Sequence, residues 1–120
     1  MPGPIFLTGE RITLRSIERG DIPFLQRHFN DPAVWRSLDR HAPINESKMT
    51  EWFERLSEDD DRVALLLCAD ETPVGYVSLR FINECWGNAS VSYWVSPDEQ
   101  GQGYATEAVE TIVTYAFEQR

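Results

Sequence analysis

The residues with the clearest chemical potential lie between Trp94 and Ala108, where Gln100-Gly101-Gln102-Gly103-Tyr104-Ala105 joins two unlike patterns. Before it, Ala89 to Val95 alternates and is rich in β-branched and aromatic residues, the pattern of a strand. After it, Ala105, Ala108, Val109, Ile112, Ala116 and Phe117 recur at helical spacing. A strand that turns through glycines into a helix start makes an anion site. The first-turn N–H groups have no intrahelical acceptor, and the helix dipole adds about half a positive charge there. The loop is not a Walker loop, because no Gly-Lys-Ser/Thr follows. It is not the dinucleotide fingerprint, because Thr106 stands where a third glycine belongs. On the glycines alone, a plain strand-to-helix turn stays open.

The elements that must position this loop can be read in order. Arg11 to Arg15 alternates, with Ile12 and Leu14 inward. Gly20-Asp21-Ile22-Pro23 opens a helix, with Asp21 as cap and Ile22, Leu25 and Phe29 on one face. Asn30-Asp31-Pro32 stops it, and residues 33 to 43 read as irregular. Asn45 caps a second helix. Ile44 and Met49 form a staple, and Met49, Trp52, Phe53 and Leu56 form its stripe. The run Val63 to Cys68 is a buried strand. Val74 to Ile82 is the next, with Val77, Leu79 and Phe81 on one face, and Gly75 marks a bulge or a close backbone approach. Residues 83 to 88 make a hairpin connection, and the last helix starts near Gly103. The order β-α-α-β-β-β-α predicts one α+β domain over residues 1–120, a mostly antiparallel sheet flanked by helices.

The formal net charge is −9, which argues against direct nucleic-acid binding. Lys48 is the sole lysine among the basic residues. Acid excess with so little lysine fits adaptation to high salt, and an ordinary acidic protein is the alternative. No apolar run is long enough to span a bilayer, and residues 1 to 7 lack the pattern of a signal peptide, so a cytoplasmic location is expected. Cys68 and Cys85 have no metal-ligand spacing, and the acidic run Glu58 to Asp61 lacks the pattern of a calcium loop, so no metal is expected.

The loop resembles the acyl-CoA motif of the GNAT N-acetyltransferase superfamily, Gln/Arg-x-x-Gly-x-Gly/Ala, at every fixed position. Tyr93 to Pro97, Thr106 to Ala108, Thr8 to Arg15 and Val74 to Leu79 are similar to the subgroup related to ribosomal-protein N-terminal acetyltransferases (RimJ/RimL-like). The resemblance implies an acyl-CoA N-acyltransferase fold and acetyl-CoA as acyl donor to a primary amine, either a protein N-terminus or a small amine. It implies that Gln100, Gly101, Gln102, Gly103, Tyr104, Ala105 and Thr106 hold the pyrophosphate, and that Tyr93, Trp94 and Val95 line the pantetheine arm. A main-chain N–H of the strand Ala89 to Val95 would stabilise the oxyanion.

The base is not assigned by this resemblance. Ser90 stands where the subgroup often has Glu, and Glu84 and His41 are the other candidates. His28 reads as a satisfied or surface histidine, and Trp35 and Trp86 as core or rim. The family continues with a further strand, a helix and two last strands, so the chain is read as the N-terminal portion of such a domain. Little activity by itself, and self-association through the exposed sheet edge, are then expected. A non-catalytic acyl-CoA-binding module is the alternative.

Overall fold

The computed structural model describes residues 3–36, 42–58, 61–83 and 88–119. Its elements run β1 (Ile5–Thr8), β2 (Ile12–Ser16), α1 (Ile22–Phe29), α2 (Pro32–Trp35), α3 (Glu46–Leu56), β3 (Arg62–Ala69), β4 (Thr72–Asn83), β5 (Asn88–Val95) and α4 (Tyr104–Gln119). The strands form one antiparallel sheet in the order β1-β2-β3-β4-β5. Among the described residues, both β1 and β5 are therefore edges. No helix among the described residues is long and apolar enough to cross a membrane.

Helices cover both faces of the sheet, and the side-chain alternation of β3 shows why. Leu66 and Cys68 point into a core with Leu25, Phe29, Met49, Tyr76 and Trp94, beneath α1 and α3. Leu65 and Leu67 point the other way, to Val77, Leu79, Val95, Ala108 and Ile112 beneath α4. A strand buried on both faces needs an unbroken apolar run, which is what Val63 to Cys68 supplies. Burial pushes the Cys68 thiol up to about 11, so it stays protonated at neutral pH.

Gly75 marks both of the features expected of it. The register shifts beside it, from Leu67 opposite Gly75 to Cys68 opposite Pro73. A Cβ at Gly75 would run into the main-chain carbonyl of Trp94 and lie 3.1 Å from the Cα of Val95. The β3–β4 turn is made by Asp70, at φ 58°, and Glu71. Aspartate tolerates that left-handed conformation better than most residues.

Four details differ from the sequence reading. The apolar triplet Ile5-Phe6-Leu7 forms the edge strand β1. It does not alternate, but Phe6 packs edge-on to Tyr115 of α4 at 5.3 Å. Asp31 starts the short helix α2, its carboxylate accepting from the N–H of Ala33 at 2.9 Å. Asp21 does not cap α1. Its carboxylate turns back to the N–H of Glu18 at 2.8 Å and closes the 3-10 turn Arg19–Asp21. Phe117 leaves the α4 stripe and is 85% exposed. It lies five residues past buried Ile112, about 140° further round the helix.

The other helix signals hold. Asn45 accepts from the N–H of Lys48 at 2.8 Å. Ile44 and Met49 are buried together. Asn30 does more than stop α1: its amide accepts from the N–H of Ile44 and donates to its carbonyl, both at 2.8 Å, which fixes the approach to α3.

Candidate functional site: a groove between a free strand edge and a helix start

The last strand turns into α4 through a short built passage. The N–H of Ser96 donates to the Val74 carbonyl at 2.7 Å, which holds the end of β5 on β4. Pro97–Glu99 makes one 3-10 turn, closed by the Glu99 N–H on the Ser96 carbonyl at 2.8 Å. The Gln100 side chain donates back to the Val95 carbonyl at 3.3 Å. Gly101 and Gly103 then take φ +85° and +82°. That left-handed conformation costs other residues about 1–2 kcal/mol. The first α4 bond runs from the N–H of Glu107 to the Gly103 carbonyl. The N–H groups of Tyr104, Ala105 and Thr106 thus have no intrahelical acceptor.

An open groove of about 770 Å³ runs along this passage. Tyr93, Trp94, Val95, Gln100, Gly101, Gly103, Tyr104, Ala105 and Thr106 all line it. Ala33 and Val34 of α2 and Val91 and Ser92 of β5 also line it, and Glu99 brings a carboxylate. Of the residues expected to hold the cofactor, Gln102 alone is not among the described residues of the wall. Its carbonyl is turned to the other side, where it accepts from Nη1 of Arg11 at 2.7 Å.

Within the wall, side chains and main chain divide the work. Tyr93 is 48% exposed, whereas Trp94 is 4% exposed. The Trp94 ring packs inward, parallel to His28 at 5.2 Å and edge-on to Phe29 at 5.5 Å. Trp94 can therefore meet a ligand only along its main chain. Its indole N–H has no partner among the described residues. His28 is a satisfied core histidine. Nδ1 lies 2.9 Å from the Phe24 carbonyl and Nε2 lies 3.1 Å from the Ser96 hydroxyl. Ser90 is exposed on β5, opposite Arg80. His41, Glu84, Cys85 and Trp86 lie outside the described residues. Trp35 is half-buried at the end of α2, with the Arg36 guanidinium 5.5 Å from its ring centre.

Sequence reasoning missed the pair behind the loop. One oxygen of the Glu107 carboxylate accepts the main-chain N–H groups of Arg11 and Ile12, at 2.7 and 3.2 Å. The other accepts from Nε of Arg11 at 3.1 Å. Partial burial pushes the Glu107 carboxyl up, but these bonds and the Arg11 charge outweigh it and hold the group below the ordinary carboxylate range. The two residues are 96 positions apart, so no local pattern could join them.

An open antiparallel sheet with helices on both faces, and a glycine loop leading from its last strand into a helix, is the architecture of an acyltransferase domain. Residues 11–120 match the acetyltransferase (GNAT) domain family, and the chain belongs to that family. It is 23% identical over 113 residues to an uncharacterized N-acetyltransferase, p20, of Bacillus licheniformis, covering 90% of this chain and 64% of that protein. It is 24% identical over 108 residues to a spermidine N(1)-acetyltransferase of Vibrio cholerae, covering 89% of this chain and 62% of that one. Among solved structures, spermidine N-acetyltransferase from Vibrio cholerae, in complex with CoA and spermine, superposes with a TM-score of 0.83 at 22% identity, over 91% of this chain and 65% of that chain. The ribosomal L7/L12 alpha-N-protein acetyltransferase RimL superposes with a TM-score of 0.74 at 18% identity, over 96% and 65%. These likenesses establish the fold. The chain spans less than two thirds of the length of each of these relatives.

Proposed function

We propose that this chain carries the acyl-CoA-binding groove of an N-acetyltransferase that moves an acetyl group from acetyl-CoA to a primary amine, either a protein N-terminus or a small amine. One observation carries the reading. The free edge of β5, the two left-handed glycines and the unpaired first-turn N–H groups of α4 all open on one groove.

The residues fit a long, polar, anionic ligand. Among the described residues, the wall of the groove contains no lysine or arginine, and Glu99 gives it a carboxylate. Anion binding there rests on main-chain N–H dipoles acting at short range, which is how a chain of net charge −9 accommodates a pyrophosphate. The groove edge of β5 offers main-chain N–H and C=O groups to the amide-bearing pantetheine arm, as an added strand would pair. Tyr93 and Val91 flank that edge.

Acetyl-CoA supplies the activated acyl group. The amine must arrive neutral, form the new C–N bond as the C–S bond breaks, and lose a proton to a base. A β5 N–H facing the acyl carbonyl would stabilise its developing charge. The exposed β5 edge also supports self-association of the chain.

The test is thiol release, followed with a chromogenic disulfide, on mixing the chain with acetyl-CoA and a panel of amines and N-terminal peptides. Amine-dependent release supports transfer. CoA binding by calorimetry without any release would move the reading to a non-catalytic acyl-CoA-binding module. No binding would remove both.

A further inference from the structure

We infer that Arg11 and Glu107 are positioning residues for the pyrophosphate loop, acting from behind it by setting the direction of a single peptide unit. The inference rests on the acyl-CoA reading of the groove. Gly103 separates two hollows. On one side is the groove with Gly101, Tyr93 and Tyr104. On the other is a hollow lined by Gly9, Arg11, Glu107 and Glu110. The Gln102 carbonyl points into that second hollow and accepts from Nη1 of Arg11 at 2.7 Å. The described chain has no cis peptide bond. In a trans peptide the C=O and the following N–H point in opposite directions. With the Gln102 carbonyl held on Arg11, the Gly103 N–H is aimed away from it, toward the groove. The guanidinium also polarises that peptide, which makes the N–H a stronger donor.

Arg11 is itself held in place. Nε is bonded to Glu107 at 3.1 Å, and its guanidinium carbon lies 5.5 Å from the Tyr104 ring centre. Glu107 also grips the main chain of Arg11 and Ile12, so α4 and the β1–β2 hairpin are tied at the same point. The geometry is tight: a Cβ on Gly103 would lie 2.9 Å from Nη2 of Arg11. Because Glu107 neutralises Arg11, the couple adds little net charge to the site. Its effect is orientation, and it concerns only the part of a ligand that the loop holds.

That restriction supplies the test. CoA, and an acetylated pantetheine fragment lacking the pyrophosphate, are titrated into the chain and its Arg11→Met, Arg11→Lys and Glu107→Gln variants, with the thermal midpoint of each recorded. Arg11→Met should weaken CoA by about tenfold, the scale of one lost hydrogen bond to a charged group, and leave the fragment unchanged. Arg11→Lys should recover part of the loss. Glu107→Gln, which keeps the side-chain length, should follow Arg11→Met in the same direction. Equal CoA affinity in wild type and both disruptive variants would overturn the inference and leave the acyl-CoA reading standing. Equal loss of CoA and fragment would overturn it as well, since a general loosening of the fold acts on both. A wild-type chain that binds neither would overturn the acyl-CoA reading, and the inference with it.

Discussion

The imidazole of His28 lies with Nε2 3.1 Å from the hydroxyl of Ser96, joining the inner face of α1 to the residue where β5 turns toward the glycine loop. The ring is 7% exposed and packs against Phe24, at 4.3 Å, and Trp94, at 5.2 Å, which also stack on each other at 5.8 Å. Because the Phe24 carbonyl can only accept, Nδ1 carries a proton and donates to it, while Nε2 meets the Ser96 hydroxyl. His28→Ala removes the ring from a packed aromatic cluster and leaves the hydroxyl without its partner. A loss of about 3 kcal/mol is expected by urea unfolding. His28→Leu should recover part of it by filling the space. Wild-type stability in His28→Ala would show that the cluster does not depend on this ring.

Gly75 is the point where the main chain of β5 and the side chain of Leu67 crowd against β4. It stands opposite both Leu67 and Val95, and any Cβ there meets the backbone of Trp94. Backbone cannot move aside as a side chain can. Gly75→Val should therefore cost about 3 kcal/mol or more and should also shift β5, which forms the wall of the groove. The checks are the thermal midpoint and CoA affinity, and both should fall. An unchanged midpoint would mean that β4 and β5 separate freely at this position.

The acid limb of stability should depend on Glu107. Its carboxyl is held below the ordinary range in the folded chain, so the folded state binds its proton later than the unfolded state does. The stabilisation it gives is full above the unfolded carboxylate pKa, about 4.3, and is lost as pH falls through the lower folded value. Asp21 has the opposite sign. Burial pushes it up, beyond what its bond from the Glu18 N–H restores, so the stability linked to its protonated form is lost as pH rises through its folded pKa. Glu107→Gln should lower the midpoint at neutral pH and make the decline from pH 5 downward shallower than in wild type. Parallel declines in the two proteins would assign the acid limb to other carboxylates.

Much of this arrangement was legible in the chain. The glycine loop, the strand before it and the helix after it were marked by residue type and periodicity, and these are local signals. Asn45 and Gly75 could likewise be read from single positions, because a cap and a close approach each demand particular side chains. What stayed hidden was pairing over distance. Arg11 and Glu107 stand in two separate stretches that no local pattern joins, and only the sheet brings the β1–β2 hairpin against the first turn of α4. Trp94 was legible as part of the wall but not as a residue whose ring points inward, because a strand edge contributes main chain and side chain to different faces. β1 was hidden for a related reason: Ile5 and Phe6 remain half exposed on an edge, so no alternation was needed there.

The central claim is that the loop from Gln100 to Ala105 holds the pyrophosphate of an acyl-CoA on its main-chain N–H groups. The most direct measurement is calorimetric titration of CoA into the wild-type chain and into Gly103→Val. Valine at φ +82° is strained, and its side chain would press on Arg11 at the point where the loop peptide is oriented. The expected result is saturable binding by wild type and none by Gly103→Val, with both proteins folded by circular dichroism. Equal affinity in the two, or no binding by the wild-type chain, would contradict the claim.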